Sequence, residues 1–330
     1  MSERYAVIGS NSFSGSHFVN HVLQRGADVL GISRSAEPNA VYLPYRWRDS
    51  PGTFSFHRLD LNHDLPAMMQ VIERFRPDYI INFAAQGMVA QSWDCPTHWF
   101  QTNTVAQVAL HDEVRKLPSL KKYVHIGTPE VYGTCEGTVT ENQPFRPSTP
   151  YAVSRAACDM SLRTFQQNYG FPVVTTRAAN VYGPGQQLYR IIPRTILSAR
   201  LGKKIPLHGG GVSVRSFIHI RDVVEGTRLA AVSGEPGKCF HLATSSSVSI
   251  RQLVERICNR MGVSFEETVD VAAERPGKDH AYRLDTAKAR TTLGWSDTVT
   301  LDEGIDETLA WVDEHLDVLK NEPLDYVHKP

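Results

Sequence analysis

The chain has 330 residues, 35 Lys plus Arg against 35 Asp plus Glu, and 41% hydrophobic residues. That length suits one large or two moderate domains, and a formal charge of zero gives no whole-chain attraction to nucleic acid or to an anionic membrane. Cys95, Cys135, Cys158, Cys239 and Cys258 show no CxxC or Cys/His ligand spacing, so no disulfide framework is expected and no metal is assigned.

The first residues run straight into a strand-like segment without a leader pattern, and no apolar run approaches a membrane span. The expectation is a soluble, cytoplasmic protein. Strand-like runs follow at Tyr5–Gly9, Val29–Ser33, Phe54–Asp60, Tyr79–Ala84, Tyr123–Gly127 and Val173–Arg177, with helical patterns at Gly15–Arg25, Pro66–Phe75 and Val105–Lys116 between them. Strands alternating with helices build a doubly wound parallel sheet, so the fold class is α/β, Rossmann-type, with a smaller C-terminal lobe that the chain enters twice. The expected division is 1–178 and 214–243 for the dinucleotide domain, and 179–213 and 244–330 for the lobe. Near the end, Leu301, Ile305, Leu309, Val312, Leu316 and Leu319 recur at steps of four and three, which predicts one amphipathic helix. Met68 and Met69 fit a helix core.

Charge is uneven. Arg177 to Asp222 carries eight basic residues and one acid, whereas Ser296 to Pro330 carries ten acids against two lysines. A basic middle in a neutral chain suits a pocket for a small polyanion, although two solvated faces would look the same.

The turn after the first strand holds Gly9, Asn11, Ser12, Phe13 and Gly15. There, backbone amides at a helix N-terminus can take a pyrophosphate. The second strand ends in Ser33-Arg34. It lacks the carboxylate that would accept from an adenosine ribose, and it offers a guanidinium suited to a 2′-phosphate, so NADP is preferred over NAD. Asp60 and Leu61, after the third strand, belong near the adenine. Tyr151 and Arg155 stand at i and i+4 on one helix face, and a fixed cation beside a tyrosine stabilises its phenolate for use as a base. Thr128 and Glu130 end the preceding strand at the C-terminal edge of the sheet, where open α/β folds bind ligands.

In this order the residues resemble the extended short-chain dehydrogenase/reductases that modify nucleotide sugars. The likeness runs from the glycine turn through Asn82 to Gln86, Thr128 to Gly133, the Tyr151 helix, Arg177 to Pro184, Arg215 to Asp222 and Arg275 to Asp279, ending at Leu293-Gly294-Trp295. The later blocks look like the sugar-nucleotide site of the 4,6-dehydratases acting on dTDP-glucose or GDP-mannose. The resemblance adds Ala84, Ala85, Gln86 and Asn103 to the cofactor site. It implies Gln86, Thr128, Asn180, Arg190, Pro206, His208, Arg215 and Arg275 for the nucleotide sugar, and a homodimer paired through the segments Val105–Lys116 and Tyr151–Gln167.

Three positions depart from the family pattern. Arg155 replaces its lysine, Pro129 replaces the aspartate of Thr-Asp-Glu, and Ser33-Arg34 replaces the NAD-selecting carboxylate. The implied reaction has Tyr151 and Thr128 at the sugar C4 hydroxyl during hydride transfer. Glu130 takes the C5 proton, water leaves C6 and the hydride returns there. UDP-glucuronate decarboxylases and 4-epimerases resemble the same region, and a redox sensor or scaffold that binds NADP(H) remains open as a non-enzyme reading.

Overall fold

The computed structural model describes residues 2–135, 137–273 and 283–329. Strands β1 (Arg4–Ile8), β2 (Asp28–Ser33), β3 (Thr53–Arg58), β4 (Tyr79–Asn82) and β5 (Lys122–Ile126) alternate with helices α1 (Phe13–Leu23), α2 (Leu65–Phe75), α3 (Pro96–Phe100) and α4 (Ala106–Val114). A short β6 (Thr138–Val139) and a long α5 (Pro150–Tyr169) lead to β7 (Val173–Ala178) and β8 (Asn180–Tyr182). Then come α6 (Ile191–Arg200), β9 (Ile205–His208), β10 (Val214–Arg215), β11 (Phe217–His219), α7 (Ile220–Ser233) and β12 (Cys239–Leu242). The chain continues with β13 (Val248–Ser249), α8 (Ile250–Met261), α9 (Phe265–Thr268), β14 (Val269–Ala272), β15 (Arg283–Leu284), α10 (Ala287–Leu293), α11 (Leu301–Glu314) and α12 (Leu316–Leu319).

Seven strands form one parallel sheet in the order β12-β7-β5-β4-β1-β2-β3. Apolar side chains on both faces of β1 and β4 explain their continuous hydrophobic runs, as a sheet covered on two sides requires. Phe18 and Val22 of α1 and Val223 and Ala230 of α7 close one face. Met68 and Ile72 of α2, Leu110 of α4 and Leu162 of α5 close the other. The winding reverses between β1 and β4, and that reversal opens a crevice at their carboxyl ends.

The C-terminal lobe gathers α6, α8 and α11 around Ile192, Ile196, Leu253, Ile257, Ile305 and Val312. Asp222 on α7 staples it to the sheet. Its carboxylate accepts from Thr298 N (3.0 Å), Thr298 Oγ1 (2.7 Å) and Val299 N (3.1 Å). Leu284, Leu293 and Trp295 pack into the apolar cluster that α1 and α7 share with the sheet.

The structure corrects two element expectations. The final helix is two helices, because His315 (φ −113°, ψ 18°) breaks it between α11 and α12 while the apolar face continues across the break. The helix expected from Val105 is entered through a π turn at Gln101–Val105 that continues from α3.

Candidate active site

The glycine turn joins β1 to α1. Ser12 caps the helix, accepting from Gly15 N at 3.1 Å and donating to Gly9 O at 2.7 Å. Gly9 has φ +84°, and a Cβ on Gly15 would stand 2.1 Å from Gly9 O, so neither position admits a side chain without opening the turn. Asn11 N donates to Ser33 Oγ at 3.0 Å, which ties this turn to the end of β2. Phe13 turns its ring into the apolar cluster beneath, leaving only its backbone near the helix terminus.

Beside the turn lies a cavity of about 560 Å³ lined by Gly9, Asn11, Ser12, Ser33, Arg34, Asp60, Leu61, Ala84, Ala85 and Gln86. Asp60 accepts from Asn62 N at 2.8 Å, and Leu61 is buried. Asn103, on the π turn, clamps this wall. It accepts from Gln86 N (2.7 Å) and donates to Gln86 O (3.0 Å) and to Ser154 Oγ (3.1 Å). A helix N-terminus, a turn held open by Gly9 and Gly15 and a cavity beside it are what a dinucleotide requires, and the residues present fit one.

Thr128 and Glu130 stand on the turn after β5. Thr128 is buried and its Oγ1 accepts from Glu130 N at 3.3 Å, while Pro129 opens a 3-10 helix over Pro129–Tyr132. That turn packs against α5, whose first turn carries the half-buried Tyr151 behind the Thr149 cap. Thr128, Glu130 and Tyr151 therefore share one end of the sheet.

Arg155 does not follow Tyr151 outward. Its side chain is buried, donating from Nη2 to Ile126 O and lying 3.2 Å from His125 Nε2, with a buried Nε–H that has no partner. Below it runs a network that sequence reading missed. Asp159 pairs with Arg177 at 2.6 Å and with His125 at 3.2 Å, and Arg177 Nη1 donates to Tyr132 OH at 3.2 Å. Tyr132 OH also meets His241 Nε2 at 2.8 Å. Burial alone would raise the Asp159 carboxyl, but Arg177 and then His125 hold it well below the ordinary range. Burial pushes His125 down, and it pushes His241 down to about 3.

The His111, His125 and Cys158 ligand atoms lie within 4.8 Å of one another in this core. The Arg155 guanidinium sits against His125, and Asp159 is already paired to Arg177, so a divalent cation would meet positive charge without a spare carboxylate. Burial also raises the Cys158 thiol to about 12.

The sugar-side residues are more scattered. Asn180 on β8 donates from Nδ2 to Ser216 O at 3.1 Å. Arg190 stands just before α6 with its guanidinium 5.4 Å from the Tyr189 ring, and Arg215 on β10 donates to Val214 O at 2.8 Å. Pro206 and His208 lie on β9, and the His208 ring meets Ala273 O at 3.0 Å. Arg275 lies outside the described residues.

A family model described as GDP-mannose 4,6 dehydratase matches residues 7–308. The dTDP-glucose 4,6-dehydratase of Xanthomonas campestris pv. campestris is 30% identical over 93% of this chain and 92% of its own. The crystal structure of DesIV, a dTDP-glucose 4,6-dehydratase from Streptomyces venezuelae with NAD and TYD bound, superposes with a TM-score of 0.86 at 28% identity, covering 95% of this chain and 98% of that one. The UDP-glucose 4-epimerase of Thermotoga maritima, solved with UDP-glucose, gives 0.86 at 26% identity over 95% and 99%. With the family match running through the glycine turn, the Thr128 turn and the Tyr151 helix, the chain belongs to the GDP-mannose 4,6-dehydratase family.

Proposed function

We propose that the protein is a nucleotide-sugar 4,6-dehydratase converting an NDP-hexose to an NDP-4-keto-6-deoxyhexose on a resident nicotinamide dinucleotide. What supports this reading is that Thr128 and Glu130 after β5, Tyr151 at the start of α5 and the glycine turn after β1 all stand at the carboxyl edge of one parallel sheet. Gly9, Ser12 and Gly15 would hold the pyrophosphate, and Asp60, Leu61 and Gln86 would flank the adenosine half. Bound there, the nicotinamide supplies reversible two-electron hydride chemistry at the sugar.

Tyr151 takes the proton of the C4 hydroxyl, and Thr128 Oγ1 hydrogen-bonds the same oxygen. A C4 carbonyl acidifies the neighbouring C–H, and Glu130 takes the C5 proton. The C6 hydroxyl then departs as water, with Glu130 returning that proton, since Pro129 has none to give. C5 takes a solvent-derived proton through Glu130 as hydride held on the nicotinamide would return to C6, and Tyr151 gives its proton to solvent. Asn180, Arg190, Pro206, His208 and Arg215 would take the nucleotide sugar, the arginines suiting its pyrophosphate, and Arg275, which lies outside the described residues, is assigned the same role. A 4-epimerase needs no base at C5, and Glu130 therefore favours dehydration.

Ser33 supplies no carboxylate at the end of β2, and Arg34 lies beside it on the cavity wall, so we assign NADP over NAD. The Streptomyces venezuelae relative was solved with NAD. Paired titrations of the two cofactors against the protein and Arg34→Ala test that choice. The chain divides into 1–178 with 214–243 for the dinucleotide, and 179–213 with 244–330 for the sugar. A second copy pairs on the Val105–Lys116 and Tyr151–Gln167 segments, where Val105, Val153 and Met160 stand exposed. Light scattering at micromolar concentration reads that state. No described helix is long and apolar enough to cross a membrane, and all five cysteines are unpaired, which supports a cytoplasmic enzyme.

The deciding experiment is mass spectrometry after incubation with GDP-, dTDP-, UDP- and CDP-hexoses in deuterated water. Loss of water with one deuterium gained at C5 is expected. An isomer of unchanged mass without deuterium, or loss of carbon dioxide from a UDP-uronate, overturns the assignment.

A further inference from the structure

The end of the chain returns to the cofactor cavity. After α12, residues 322–329 alternate in burial, with Glu322, Leu324, Tyr326 and His328 half-buried and Pro323, Asp325, Val327 and Lys329 exposed. Leu324 packs against the lobe core, and Arg194 donates to Leu324 O at 3.1 Å while pairing with Asp325 at 3.0 Å. Tyr326 meets Tyr189 edge-on at 5.5 Å.

The far end is held by groups of the cofactor site itself. Gln86 Nε2 donates to Lys329 O at 2.7 Å and to His328 Nδ1 at 3.1 Å, and Arg34 Nη2 donates to Lys329 O at 3.1 Å. His328 lies parallel to the Trp99 ring at 5.1 Å, and its Nε2 is 2.9 Å from His98 Nδ1 on α3. The cavity of about 560 Å³ stays open beneath, with the glycine turn on one side and Tyr326 and Val327 on the other.

We infer that residues 323–329 are the outer wall of the dinucleotide site, a strap latched by His328 that must lift for the cofactor to enter or leave. This rests on the reading of the cleft as a nicotinamide dinucleotide site. A strap that walls the cavity without filling it slows exchange and keeps the cofactor in place between the two hydride transfers, which a dehydratase requires of a cofactor it regenerates each cycle.

The latch specifies a neutral imidazole. Gln86 Oε1 accepts from Arg34 at 3.3 Å, so its Nε2 is the donor toward His328, whose Nδ1 must be bare and whose Nε2–H donates to His98. A proton on Nδ1 would face the amide hydrogens and set a cation beside Arg34 and His98. Tyr326 OH, 3.4 Å from Nδ1, could still accept from it, and Asp94 is the carboxylate on that side. Burial, then His98 and Arg34, lower the His328 pKa against the opposing pull of Asp94. A group whose value is lowered in the latched state supports latching above its ordinary value, about 6.5, and loses that support as pH falls.

The test is the release rate of NADPH, followed by its fluorescence after a chase with excess NADP+. It is run on the full chain, on His328→Ala and on a chain truncated after Glu322. Release at least tenfold faster in both variants, and faster at pH 5.5 than at pH 8 in the parent only, is expected. Hydrogen exchange on the parent should show amides of residues 324–329 protected when cofactor is bound. Release within twofold of the parent in both variants, or unchanged exchange in this segment, overturns the strap. A chain that binds neither NADPH nor NADH overturns the dinucleotide reading itself, whereas one that dehydrates sugars with unaltered release overturns only the strap.

Discussion

Replacing Asp159 with Asn tests whether the Thr128–Glu130 turn is held from beneath by charge. The Asp159 and Arg177 side chains are 5% and 4% exposed and 2.6 Å apart, and Arg155 stands in the same core against His125. With the carboxylate gone, two buried guanidinium groups face each other through His125 without a counter-charge. Breaking such a pair from one side costs about 3–5 kcal/mol. An unfolding entropy of about 2.1 cal/mol/K per residue gives about 0.7 kcal/mol/K for this chain, so Tm should fall by roughly 4–7 °C. The sign with pH follows from the depressed Asp159 carboxyl. Its contribution is complete above the ordinary carboxylate value, near 3.9, and is lost as pH falls through its lower folded value, so the gap between parent and variant narrows in acid. Urea unfolding at pH 7 and at pH 3.5 reads both numbers. A loss under about 1 kcal/mol at pH 7, or a coupling below that in a cycle with Arg177→Met, would refute the reasoning. Turnover should drop as well, because Arg177 holds Tyr132 at the end of the Glu130 turn.

Two further substitutions probe the site. Gly15→Ala would place a methyl 2.1 Å from Gly9 O, and calorimetric titration should show nicotinamide-dinucleotide affinity at least tenfold weaker with the fold intact by circular dichroism. Glu130→Gln should lower dehydration and C5 deuterium exchange by about 10²- to 10⁴-fold, while substrate-dependent reduction of the cofactor, seen as absorbance in a single turnover, persists.

Much of the site was legible because its chemistry is local. The glycine turn, the Thr128 turn and the Tyr151 helix each lie within a few residues of a strand end, and the strand–helix alternation fixes which edge of the sheet they reach. What escaped reading depends on contacts distant in sequence. Asp159 meets Arg177 and His125 across three elements, and Gln86 meets Lys329 across most of the chain. The alternation of Leu324, Tyr326 and His328 was the one local signal of the strap, and the acidic, irregular context around it hid that period. The break at His315 was likewise invisible, since the apolar spacing continues through it.

Arg155 stands where the family pattern has lysine, and its side chain turns into the core. A lysine at this place on α5 would present a point charge on a flexible stem, whereas the longer forked guanidinium finds the Ile126 carbonyl and the His125 ring and is buried there. Its positive charge then belongs to the core network as much as to the site, and its buried Nε–H has no partner among the described residues. Arg155→Lys should therefore cost about 1–3 kcal/mol of stability, because Ile126 O loses its donor, while most of kcat is kept. Arg155→Met should lose stability and turnover together, because Ile126 O loses its donor and the buried Asp159 loses a neighbouring cation. Stability is read by urea unfolding and turnover by product mass across pH 6 to 10. If Arg155→Met kept its kcat, the guanidinium would be a purely structural cation.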